Sequence, residues 1–165
     1  MSLYEFGRSV RQHRDIALTD INKYPALADA LETWLQARGS RAPRSIDPIA
    51  LPKGLLPYVM LLDLEEAPLR LRVRLAGTAV CAKYGGELKG RTTDDFFEPA
   101  DARHVVDAAL TVARLGLPSL AERTYVNLDG SLWSYVRLIA PLSRDGQKID
   151  SFFKVLDPDT LRQQV

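Results

Sequence analysis

Hydrophobic positions along the chain follow a helical period first, then a strand period, then each once more. Leu3, Phe6 and Val10 recur at i, i+3 and i+7 among Arg8, Arg11 and Arg14, which predicts a short helix with one apolar face. Leu27, Leu31, Trp34 and Leu35 form one stripe between Pro25 and Gly39, which predicts a longer helix with proline in its first turn and glycine as its stop. Pro43, Pro48, Pro52 and Pro57 then leave residues 39–57 room for little beyond one short helical turn. From Tyr58 the period falls to two, and residues 58–64 and 69–75 read as a hairpin. Residues 79–84 read as a short helix closed by Gly85 and Gly86, and residues 92–97 as another short element before Pro99. Pro99, with Asp101 in the first turn, opens a long helix in which Val105, Ala109, Val112 and Ala113 share a face, ended by Gly116 and Pro118. Residues 120–128, 132–142 and 149–156 alternate as three strands, joined by turns at Asp129-Gly130 and Arg144-Asp145-Gly146. The tail, residues 157–165, has few apolar residues to bury. Connections within the strand groups are too short for parallel crossovers, so the pattern predicts an α+β domain with an antiparallel sheet.

Length and composition narrow the function classes. The 165 residues suit one domain, and 46% hydrophobic content is ordinary for a globular chain. With 22 Lys+Arg against 21 Asp+Glu the net charge is +1, which argues against a binder that relies on nucleic-acid phosphates. No apolar run approaches the ~20 residues of a bilayer helix. Cys81 stands alone, so neither an intrachain disulfide nor a structural zinc site is expected, and the start of the chain lacks the basic-then-apolar pattern of a secretory signal. The expectation is a cytoplasmic protein. With two histidines, neither beside a candidate nucleophile, no catalytic triad can be argued, and Gly85, Gly86 and Gly90 read as turn residues because no Gly-Lys-Ser/Thr follows them.

Several short motifs in order resemble a PAS domain: Leu75-Ala76-Gly77-Thr78, Tyr84-Gly85-Gly86-Glu87-Leu88-Lys89-Gly90-Arg91, Glu122-Arg123, Asp129-Gly130 with Trp133, and Pro141-Leu142 to Gly146. Ile46-Asp47-Pro48, Leu56-Pro57 and Arg72-Val73-Arg74 extend the likeness toward a proteobacterial PAS subfamily of small, mostly stand-alone proteins. The resemblance implies a five-stranded antiparallel sheet in the spatial order 2-1-5-4-3, with helices on one face enclosing a cavity and extra helices at the N-terminus. Residues 1–23 would be a helical arm, 24–158 the PAS-like domain and 159–165 a tail. It further implies a sensory or adaptor module rather than an enzyme, which holds a small anionic or polar metabolite or nothing. Such a module would pair with itself through the N-terminal helix and the outer sheet face, and would signal to another protein in trans. The other readings are a small α+β cavity enzyme of the isomerase or dehydratase kind and a ligand-free interaction protein.

Laid along the PAS pattern, Trp133, Tyr135 and Arg137 resemble cavity-facing positions, with Arg123 and Tyr125 on the neighbouring strand and Phe153 on the last one. Convergent Arg and Tyr groups suit a carboxylate or another small anion. Periodicity alone leaves the opposite choice open, since Leu132, Val136, Leu138 and Leu142 would serve equally as the inward face. Arg70, Arg72 and Arg74 alternate with Leu69, Leu71, Val73 and Leu75, and the aliphatic set is expected inside. Arg38, Arg41 and Arg44 read as solvated charge. His104 falls on the helix that carries the iron ligand in haem-binding PAS domains, yet a lone His in a first turn reads as a surface residue, and His13 has no evident partner. Cys81 does not fall where light-sensing relatives place their flavin-reactive cysteine, after Gly90-Arg91, where this chain has Thr92. No cofactor is expected.

Overall fold

The computed structural model describes residues 13–164. Strand β1 (Arg14–Ile16) and a 3-10 helix (Leu18–Lys23) lead into α1 (Pro25–Ala37). Two 3-10 turns, Pro48–Ala50 and Lys53–Tyr58, then cross to the hairpin β2 (Val59–Glu66) and β3 (Leu69–Ala76). Helices α2 (Thr78–Lys83), α3 (Thr93–Phe96) and α4 (Pro99–Leu115) precede strands β4 (Ser119–Val126), β5 (Leu132–Leu142), β6 (Ser151–Leu156) and β7 (Arg162–Gln164). The local chemistry of the helices is that expected: Thr92 and Asp95 cap α3 reciprocally, Pro99 starts α4, and Gly116 ends it in the left-handed region at φ 68°.

All strand pairs are antiparallel, in the order β1-β4-β5-β6-β2-β3, with β7 alongside β5. Strands β2 to β6, in the spatial order β3-β2-β6-β5-β4, follow the 2-1-5-4-3 order that the PAS resemblance implies. The two additional strands revise the ends of the chain. Residues 14–23, expected as part of a helical arm, form a strand and a 3-10 helix, and the predicted helix at Leu3, Phe6 and Val10 lies outside the described residues. The tail gains β7 because β6 covers β5 only from Arg137 onward, leaving Leu132, Trp133 and Ser134 free to pair with residues 162–164.

Both faces of the sheet are covered. On the inner face α2, α3 and α4 enclose Met60, Leu62, Leu71, Val73, Phe96, Val105, Val106, Val112 and Phe152. On the outer face α1 lays Leu27, Ala30 and Trp34 against Val136, Leu138, Ala140, Leu142, Phe153 and Val155. Trp34 Nε1 donates to the Pro141 carbonyl at 2.9 Å, so the indole satisfies its one polar group while its ring is wholly buried. Each such large side chain contributes roughly 1.5–3 kcal/mol by burial. Among the described residues no helix is long and apolar enough to cross a membrane.

The hairpin corrects one expected alternation. Leu71 and Val73 point inward, and Arg70 and Arg72 sit outside on Glu65, with Nε–Oε distances of 2.7 and 2.6 Å. Between Leu61 and Leu62 the pairing shifts register, and beyond a bulge every side chain changes face. Leu75 therefore pairs with Leu61 on the outer side and is 40% exposed, although period two alone predicts it inside.

Gly77 follows β3 where the chain passes directly over the 3-10 turn, and its amide donates to Val59 O at 2.8 Å. A Cβ at Gly77 would overlap the carbonyl groups of Pro57 and Leu56, which are backbone and cannot rotate aside. Gly77→Ala is expected to destabilise the fold by about 1–3 kcal/mol in urea denaturation. Gly39→Ala, whose Cβ meets nothing within 4 Å, should leave the midpoint unchanged.

Candidate functional site

Directly opposed residues in an antiparallel pair share a face, so the register of β4 and β5 decides where the predicted residues point. Arg123 opposes Tyr135 and Tyr125 opposes Trp133, while Arg137 opposes Ala121. All five lie on the inner face beneath α2–α4, with Tyr125 and Tyr135 inside the apolar cluster there and Trp133 half-buried. Phe153 is placed differently. It opposes Leu61 and Ala140 and packs in the outer layer under α1, so the structure separates it from the other five.

Its neighbour takes the inner position. Lys154 opposes Ile139 and Met60 and lies next to Arg137 on the same face. Lys83, at the last turn of α2, reaches the same region from above. Four basic side chains are thus buried together: Lys83, Arg123, Arg137 and Lys154 are 4, 6, 3 and 5% exposed. Sequence reasoning missed both lysines. Lys154 had one legible sign, as the single charge in the apolar run 152–156, while Lys83 had none.

The groups around these cations satisfy them in part. Arg123 Nη2 donates to Asp15 Oδ1 at 2.9 Å and Arg123 Nη1 to the Glu122 carbonyl at 3.1 Å. Arg137 Nη1 donates to the Ser119 carbonyl at 2.9 Å and to Ser119 Oγ at 3.2 Å. Lys83 Nζ stands 3.7 Å from the Tyr84 ring centre, 4.9 Å from that of Tyr135 and 6.0 Å from that of Trp133. Asn127 Nδ2 donates to the Lys83 carbonyl at 2.7 Å and ties the end of α2 to the turn after β4. Lys83 Nζ, Arg123 Nε, Asn127 Oδ1 and the Tyr135 hydroxyl are buried with no hydrogen-bond partner among the described residues.

Burial and like charge shape the titration of the cluster. Burial, with Lys154 adding to it, pushes Lys83 well below the ordinary lysine range. Burial first, then Arg137 and Arg123, bring Lys154 down to about 7. Burial and then Arg123 lower Arg137 to about 10. Burial raises the phenols of Tyr84 and Tyr135, and that of Tyr125 to about 12, so all three keep their protons as donors.

His104 has partners, contrary to its expected place at the surface. Its Nδ1 lies 2.9 Å from the Tyr125 hydroxyl, and its ring stacks on His13 at 4.1 Å between centres. Burial, then Arg123 and Arg137, lower its pKa. Strand β1 thereby brings both His13 and Asp15 to the rim of the cluster. Among the described residues no group of three or more His, Cys, Asp or Glu is placed to hold a metal ion. Cys81 is half-buried, with its Sγ 3.7 Å from the Ala76 carbonyl and from Glu87 Oε1.

Two cavities border these elements. One of about 220 Å³ is lined by Tyr84, Arg91, Asp95, Phe96, Asn127 and Leu128, beside the Lys83 end of the cluster. Another of about 410 Å³ lies against the outer face, where Phe153, Leu75, Leu61 and Leu56 line it together with Lys53. Chemically, the inner cluster repels metal ions and other cations, and its guanidinium, ammonium and phenol donors suit a small anion.

A family model described as a PAS domain matches residues 22–157. The chain is also similar to the light-state structure of the LOV domain of the blue-light photoreceptor Aureochrome1, with 15% sequence identity and a TM-score of 0.44 over 61% of this chain and 80% of that one. No curated protein matches the chain.

The buried lysines make stability depend on pH in a stated direction. Lys154 titrates near 7 in the folded chain and near 10.5 when exposed, so between these values the unfolded chain binds more protons and stability rises with pH. Lys83 acts in the same direction. In a buffer free of small anions the melting temperature should increase from about pH 7 to about pH 9. Lys154→Met should flatten that slope and melt higher at pH 7, since an apolar side chain replaces a buried amine. A slope unchanged by the substitution would show that Lys154 is hydrated.

Proposed function

Because the chain belongs to the PAS domain family, we propose that it is a sensory module whose ligand is a small carboxylate-bearing metabolite held on the inner face of the sheet. One observation carries this reading. Two arginines and two lysines are buried side by side, and the one ion pair they make among the described residues joins Arg123 to Asp15, whose own side chain is 87% exposed. Taking a guanidinium or an ammonium out of water costs several kcal/mol unless an anion accompanies it or, for lysine, the proton is lost. A bound carboxylate would supply that counter-charge. Arg137 and Arg123 offer planar donor pairs to its oxygens, Lys154 gains a partner that favours its protonated form, and Trp133, Tyr125 and Tyr135 form the walls.

Binding would also change what the outside of the protein presents. The ligand and Asp15 compete for Arg123, and Asp15 belongs to β1 at the edge of the sheet. Occupancy would thus be passed to a partner protein through contacts rather than through turnover.

The test is a thermal-shift screen of acetate, lactate, pyruvate and succinate. At a hundred times its dissociation constant a true ligand should raise the melting temperature by roughly 5–10 °C. Arg137→Met should lose the shift, while Arg70→Ala, on the outer face with Glu65, should keep it. Affinity should fall from pH 6 to pH 8.5 as Lys154, which titrates at about 7, loses its proton. Equal losses in both variants, or no shift with any carboxylate, would overturn the reading.

A further inference from the structure

We infer that the outer-face cavity of about 410 Å³ is a second ligand site, which takes a straight-chain aliphatic carboxylate with its chain against the leucines and its carboxylate at Lys53. It lies across the sheet from the basic cluster and goes beyond the reading above, on which it does not depend.

The cavity follows from how the outer layer is built. Helix α1 covers β5 and β6, but over β2 and the end of β3 the layer consists of the two 3-10 turns, which do not close onto the strands. Leu61 and Leu75 line the gap from the sheet and Leu51 and Leu56 from the turns, with the wholly buried Phe153 behind them. Its volume falls in the range of small-molecule sites. Leu56 and Leu75 are exposed there. Leu75 reaches the cavity because of the register shift at Leu61, which takes an apolar side chain away from the inner core. A bulge of this kind forfeits burial that an aliphatic occupant restores. The walls are also set in advance: the Gly77 amide donates to Val59 O, and the Leu56 and Pro57 carbonyls pack against Gly77 itself. Little ordering cost is then left for binding.

Charge selects the occupant. Lys53 and Thr78 are the polar side chains of the lining and Lys53 is its one charge, exposed and without a carboxylate partner among the described residues. A single cation beside an aliphatic groove suits one negative head on an aliphatic chain. Residues 1–12 would bring Arg8 and Arg11 to Lys53, like charge against like. A second copy set groove to groove across a two-fold axis would place two Lys53 ammoniums in one shared space. Neither relieves the charge, whereas a carboxylate does.

The test is calorimetric titration of the 165-residue chain with hexanoate, octanoate, decanoate and octanol, together with sedimentation of the free protein. From hexanoate to octanoate the affinity should rise roughly fourfold per methylene. Lys53→Glu should weaken octanoate roughly tenfold and leave octanol unchanged. Leu75→Glu, which puts a carboxylate into the groove, should abolish octanoate binding, and Arg137→Met, on the inner face, should keep it. Octanoate that binds no tighter than hexanoate, or that loses affinity in Arg137→Met but not in Leu75→Glu, would overturn the site. Equal weakening of octanoate and octanol by Lys53→Glu would overturn the carboxylate. No binding, with a dimer that Leu75→Glu disperses, would overturn it in favour of a second copy; no binding to a monomer would overturn it outright. Acetate and lactate have no chain to bury, so their effect on melting reports on the inner face alone and the two readings fail separately. Lys53 is exposed, so its variant keeps the test decisive even if Leu75→Glu fails to fold.

Discussion

A charge moved from water into a protein interior loses hydration worth several kcal/mol, and two arginines and two lysines lie side by side on the inner face of this sheet. That cost governs how the rest of the structure is read. Arginine cannot shed its proton under ordinary conditions, so Arg123 and Arg137 keep their charge and need acceptors, which they find in Asp15, the Glu122 carbonyl and Ser119. Lysine can shed its proton, so Lys83 and Lys154 respond to burial by titrating lower. Two answers to one constraint therefore stand within a single cluster: fixed cations that need acceptors, and adaptable amines that can give up their charge.

Such a face is tolerable because the opposite face supplies the apolar burial. Helix α1 closes over Val136, Leu138, Ala140, Leu142, Phe153 and Val155, and the Trp34–Pro141 hydrogen bond fixes its position on β5. On the inner side, α4 and the aromatic contacts among Tyr84, Phe96, Phe97 and Tyr125 fill the space around the charges. Strand β5 is the shared element. Its odd-numbered residues from Trp133 to Arg137 face the cations, and its even-numbered ones from Val136 to Leu142 face α1.

This sandwiching explains what could be read from the sequence. Helices α1 and α4 were legible from their 3.6-residue stripes and terminal Pro and Gly, and the strands from period two and their turns. Period two also grouped Arg123, Tyr125, Trp133, Tyr135 and Arg137 on one side. It could not choose between a solvated polar face and a buried one, because from Tyr135 onward layers on both sides bury both β5 faces. What remained hidden depends on pairing between strands. The cross-strand register assigns Phe153 to the outer layer and Lys154 to the inner one, and a one-residue shift near Leu61 turns Leu75 outward. Strand β7 forms only because β5 overhangs β6. Long-range geometry of this kind leaves no local pattern.

The central claim is that two of the six lysines are desolvated inside the protein, and the most direct measurement is an NMR titration of the lysine Cε and Nζ resonances. The structure predicts that Lys148, hydrogen-bonded to Glu66, titrates above the ordinary lysine value. Lys154 should titrate near 7, with Lys83 also displaced well below the ordinary lysine value. Lys83 and Lys154 titrating near pH 10.5 would contradict the account, since both amines would then be hydrated instead of buried beside Arg123 and Arg137.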